Sequence, residues 1–82
     1  MSKHLSIGGT AYYVVDANDV YWTEATDEFV TVSGTIESMI DEDGDMEFRP
    51  DATEEVITVN QMDIFANEDD AIADMDMRNS EL

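Results

Sequence analysis

The sequence predicts a mainly β fold: a strongly bent antiparallel sheet or small barrel of four to five strands, followed by a short acidic C-terminal helix. Three observations carry that prediction. Aromatic and β-branched residues gather in short runs, AYYVV at 11–15 and EVITV at 55–59, the types that suit a pleated, half-buried surface. Residues 29–40 alternate over an unusual length. Val30, Val32, Gly34, Ile36, Ser38 and Ile40 fall on one face, with Thr31, Ser33, Thr35 and Glu37 on the other, and a period of two means a strand with one buried face. The period changes only after Asn67, where NEDDAIADM reads as helix.

Taken in order, Gly8-Gly9 is a turn into the first strand at 11–15. Asp16, Asn18 and Asp19 are turn formers, 20–22 is a short extended piece, and TEATDE is a polar loop. Gly34 sits near the middle of the long strand, where glycine permits a sharp bend or a bulge. Asp43-Gly44 is a strong turn dipeptide and predicts a tight hairpin into 46–49. The run Arg49-Pro50-Asp51-Ala52 predicts a second turn with proline in its early position. After the strand at 55–59, residues 60–65 are expected to form a short helical turn that docks Ile64 and Phe65 on the sheet.

The helix has marked ends. Asn67 is a good N-cap, Glu68, Asp69 and Asp70 suit the positive end of the helix dipole, and Arg78 suits the negative end. Ala71, Ile72 and Met75 group on one side, with Asp69, Asp70, Asp74 and Asp76 around the other, and fraying is expected after about Met77. A single domain over 1–82 follows, with an ordered body at about 8–77 and flexible termini; a second core would have nothing to fill it.

The order GGTAYYVV, SGTIESMI, DGDMEF, ITVNQMDIF and NEDDAIADM resembles that of the small SH3-like barrels common among compact bacterial and phage-encoded proteins. The resemblance covers roughly residues 8–77 and rests on strand and turn features rather than a signature. It implies binding of peptides, proteins or nucleic acids. The acidity of this chain departs from the nucleic-acid binders of that class.

Charge is the strongest functional signal. Twenty-one acidic residues face three basic ones, Lys3, Arg49 and Arg78, for a formal net charge of −18. Most carboxylates therefore lack a cationic partner within the chain, and their mutual repulsion opposes compactness and is relieved by salt. Direct contact with nucleic acid or an anionic membrane is disfavoured; a basic protein partner is favoured. Cysteine is absent, which excludes disulfides and thiolate metal sites. No stretch approaches the roughly 20 apolar residues needed to span a bilayer, so a soluble, cytoplasmic protein is expected, in a host cytoplasm if phage-encoded.

The loop IDEDGDMEF at 40–48 fails as a calcium site. Such a loop wants Asp or Asn at places one, three and five, Gly at six and Glu at twelve. With Gly44 sixth, Met39 and Pro50 take the first and twelfth places; with Asp41 first, Met46 and Ala52 take the sixth and twelfth. A hairpin turn is the simpler reading, and neither metal nor cofactor is expected. Catalysis is not expected either. His4 is the only imidazole and lies near a terminus, whereas a nucleophile–histidine site needs a rigid frame.

Three readings of the acidity compete. Carboxylates can imitate the phosphate array of DNA and occupy the basic groove of a nucleic-acid-binding protein, which gains affinity from counterion release. In size, charge and lack of cysteine the chain resembles small phage-encoded inhibitors of restriction, repair or CRISPR nucleases, a resemblance of character and not of motif. Salt adaptation is the second reading, and an accessory module binding a basic surface of a larger assembly is the third. The first is the leading expectation: a non-enzymatic inhibitor or regulator of a basic, nucleic-acid-binding protein. The expected contacts are Asp41, Glu42, Asp43, Asp45, Asp69, Asp70 and Asp74, with Tyr21 or Trp22 as an apolar anchor. An incomplete barrel also leaves an edge through which two copies could pair.

Overall fold

The computed structural model describes residues 5–20, 22, 28–39 and 44–81. Its elements are β1 (Thr10–Asp16), a 3-10 turn (Ala17–Asp19), β2 (Phe29–Met39), β3 (Asp45–Pro50), β4 (Ile57–Asn60), β5 (Ile64–Phe65) and α1 (Glu68–Ser80). The strands form one antiparallel sheet in the order β4-β3-β2-β1-β5.

That order forces the sheet to curl. β4 and β5 lie on opposite edges, which in a flat sheet would be about 19 Å apart, four strand spacings of ~4.8 Å. Only 61–63 join them, and four residue steps reach at most about 14 Å. The connection is also folded, since Asp63 N–H donates to the Asn60 carbonyl at 2.9 Å. The edges are therefore drawn toward each other and the sheet becomes a half-barrel, the bent sheet that the long alternating strand predicts.

The register sorts the residues between two faces. Tyr13 opposes Val32, Ile36 opposes Phe48, and Met46 opposes Val59, which sets them on the concave face. There Ala11, Ile36, Met46, Phe48, Val59 and Ile64 form the core, with Leu5, Tyr13, Val32 and Ile57 packed against it. On the other face Val14 opposes Thr31, and α1 covers this end by packing on β1, β2 and β5. Val14 and Ala71 are both buried, and the Thr31 hydroxyl lies 3.4 Å from the Met75 sulfur.

Several local expectations are corrected. Gly34 is not the irregular point of β2: the register shift falls between Ile36 and Ser38. Gly34 has another reason to be glycine, because a Cβ there would meet the Arg49 carbonyl and come within 2.6 Å of Phe48 Cζ. The Phe48 ring fills the space a side chain would take. The bulge inserts Glu37 and turns Ser38 away from the core face, so that Ser38 opposes Glu47 and donates its hydroxyl to that carboxylate. Period two cannot anticipate this, since one inserted residue inverts the alternation beyond it.

Elsewhere, residues 60–65 form a hydrogen-bonded turn and the short strand β5 rather than a helical turn. Pro50 ends β3, and the turn closes behind it through Thr53 N–H to the Pro50 carbonyl. The tight hairpin expected at Asp43-Gly44 falls on 40–43, outside the described residues; the last described pair of the β2–β3 ladder is Met39 with Met46, and Gly44 has the positive φ, 93°, expected of the glycine of an Asp-Gly pair. Val20 is extended, as expected of the piece at 20–22, and neither it nor Trp22 belongs to a strand. The helix runs to Ser80 rather than fraying after Met77.

Candidate acidic binding surface

The helix begins where the sequence places it. Asn67 Oδ1 accepts from the backbone N–H of Asp69 at 2.7 Å and of Asp70 at 3.4 Å, satisfying two of the donors that a helix start leaves without partners. Glu68, Asp69 and Asp70 fill the first turn beside its positive dipole end. All three are exposed. At 3.6 residues per turn, Asp69 and Asp76 lie on one outward line with Ala73 and Ser80, and Asp76 is exposed as well.

Asp74 does not belong to that outward row. It is half-buried, and its Oδ2 lies 2.7 Å from Arg78 Nε. Arg78 in turn donates to Asp63 at 2.8 Å and to the Met62 carbonyl at 3.4 Å, with its guanidinium 5.6 Å from the centre of the Phe29 ring. Partial burial alone would lower the pKa of Arg78. The hydrogen bond to Asp63 and the charge of Asp74 outweigh it and hold the pKa above its ordinary value. Arg78 was expected to complement the dipole; its larger role is to tie the last turn of α1 to the β4–β5 connection.

Arg49 is also engaged, 3.1 Å from Glu37. Both arginines are thus paired within the chain, Arg49 at the surface and Arg78 half-buried. Other carboxylates accept from neutral donors: Asp45 from Asn60 at 3.1 Å and Asp51 from Ser33 at 2.9 Å. Asp45 lies on β3, while the helix packs on β1, β2 and β5, so the expected contact acids divide between two regions. Asp69 and Asp70 stand together; Asp45 is on the hairpin; Asp74 is drawn into an ion pair. Asp41, Glu42, Asp43 and Tyr21 lie outside the described residues. Trp22 is half-buried in a bend.

No protein-family model, curated protein or solved structure matches the chain. Function therefore rests on the chemistry of the surface. Among the described residues no three metal-ligating side chains converge, and no helix is long and apolar enough to cross a membrane. Acids outside the expected contact set also face solvent, among them Glu54, Glu55, Glu68, Asp76 and Glu81. The i, i+4 spacing of Asp74 and Arg78 was a legible sign that the two could pair, though not of where the pair would lie. Nothing comparable in sequence tied Asp63, fifteen residues away, to Arg78.

A half-buried titratable group lies near this network. Burial raises the pKa of the Tyr13 phenol above its ordinary value of 10.0, and the charges of Asp63 and Asp19 raise it further against the opposing pull of Arg78.

Proposed function

We propose that this protein is a non-enzymatic inhibitor or regulator that binds the basic surface of a nucleic-acid-binding protein, its carboxylates competing for the lysines and arginines that hold phosphates. The observation that supports this most is the state of the two described arginines. Arg49 and Arg78 are paired within the chain, whereas Glu68, Asp69, Asp70 and Asp76 are exposed on a helix anchored at its far end by Arg78 and Asn79. Fixed carboxylates cost less ordering on binding than mobile ones. In this reading Asp69, Asp70 and Asp76 are the principal contacts, with Asp41, Glu42, Asp43 and Asp45 of the hairpin as a second group and Tyr21 or Trp22 as the anchor. The partner works in the cytoplasm, and the mechanism is steric and electrostatic exclusion without chemistry.

The test is affinity capture by the tagged chain from a bacterial lysate, washed with increasing salt and then challenged with duplex DNA. Retention of one nucleic-acid enzyme at moderate salt, its displacement by DNA, and its loss with D69N/D70N/D76N support the proposal. A diffuse set of basic proteins released together at modest salt would refute it.

A further inference from the structure

We propose that the outer edge of β4 is a docking edge for an extended, basic segment of the partner, which adds to the half-barrel as a sixth strand. The inference rests on the acidic-binding reading above and assigns it a place and a backbone geometry.

The alternation of the ladder decides which groups face outward. Gln61 N–H donates inward to the Gly44 carbonyl at 2.9 Å, and Ile57 and Val59 share that direction because main-chain groups of alternate residues point the same way. Thr58 and Asn60 therefore turn theirs away from β3. The Asn60 carbonyl is taken by Asp63 N–H, which leaves Thr58 N–H, Thr58 C=O and Asn60 N–H along the edge. Among the described residues no strand pairs with this side of β4.

The surroundings select the occupant. Glu54 and Glu55 are exposed just before β4, and Val56 is 45% exposed. Thr58 opposes Glu47 and Asn60 opposes Asp45, which places two further carboxylates one strand in on the same face. A second copy of this chain would bring the same acids and a net charge of −18, so self-pairing is electrostatically opposed. An extended segment alternating Lys or Arg with aliphatic residues is complementary. Its cations lie over the Glu47 face and its aliphatic side chains over Ile57 and Val59, the main chain supplying affinity and the side chains specificity.

The probe is an octapeptide of alternating lysine and valine, compared with the same peptide N-methylated at alternate residues and with polylysine, against the full chain at physiological salt. Thr58→Pro removes the outward N–H and no ladder bond. The proposal expects at least about tenfold weaker binding on N-methylation or in T58P, and amide shifts at Thr58 and Asn60. Equal affinity of the methylated and unmodified peptides would overturn it, and the acids would then be guards against edge pairing. That comparison decides the matter even if T58P fails to fold. Binding of polylysine without the octapeptide overturns the docking edge alone; binding of neither overturns the acidic-binding reading with it.

Discussion

The side-chain amide of Asn79 occupies the place of a neighbouring strand beside Phe29. Its Oδ1 accepts from Phe29 N–H at 2.7 Å and its Nδ2 donates to the Phe29 carbonyl at 3.2 Å. The ladder from β3 reaches as far as Gly34, so among the described residues Phe29 has no partner strand on that side. One helical side chain satisfies both of its main-chain groups, and in doing so fixes the end of α1 to the sheet.

Removal of that amide leaves a partly buried N–H and C=O without partners, a loss of about 1–3 kcal/mol. Asn79→Ala is expected to lower the urea midpoint accordingly. Hydrogen exchange at Phe29 should accelerate by more than that at Ile36, which lies in the core.

Gly34→Ala is expected to be more damaging than a usual glycine substitution. The added methyl would meet the Arg49 carbonyl and the Phe48 ring, and a main-chain atom cannot rotate aside. A cost of about 1–3 kcal/mol or more follows from overpacking. Denaturant unfolding checks it; the double variant with Phe48→Leu should recover part of the loss if the ring is the obstacle, and none if the carbonyl dominates.

Arg78→Gln should destabilise the fold by about 1–3 kcal/mol, since Asp63 and Asp74 would keep their charges and lose their common cation. The deficit is expected to shrink as salt is added, because the remaining repulsion is screened. Thermal melts of the wild type and the variant across a salt series measure both effects. A salt-independent deficit would place the role of Arg78 in packing against Phe29 instead.

Tyr13 gives a pH dependence of defined sign. Its folded-state pKa is raised from 10.0 by burial first and by Asp63 and Asp19 next. Between the unfolded and folded values the native state holds more protons, so stability is fully present below about pH 10 and falls as pH rises through the folded pKa. Tyr13→Phe is expected to flatten stability across that alkaline window. Phenolate absorbance should show a component titrating above pH 10 that Tyr13→Phe removes.

How far the fold could be read from the chain depended on the range of the forces involved. The pleated runs, the positive φ of Gly44, the Asn67 cap and the helix are local, set by side-chain shape, glycine's freedom and the orphan donors of a helix start. The bulge between Ile36 and Ser38 was not legible, because its two registers differ by one residue and only packing against β3 selects between them. The exposed acids Asp69 and Asp70 followed from their position in a first turn. Asp74 did not remain with them because the outcome depended on where Arg78 would reach.

By itself the sequence determined a mainly β chain with a capped acidic helix and a formal net charge of −18. Those properties follow from composition and from interactions within a few residues. Only the tertiary structure decided that β5 returns to β1 and curls the sheet, that Arg49 and Arg78 pair within the chain, and that among the described residues no strand covers the outer edge of β4. Each depends on contacts between residues far apart in sequence, whose energies take effect only after the chain has folded back on itself.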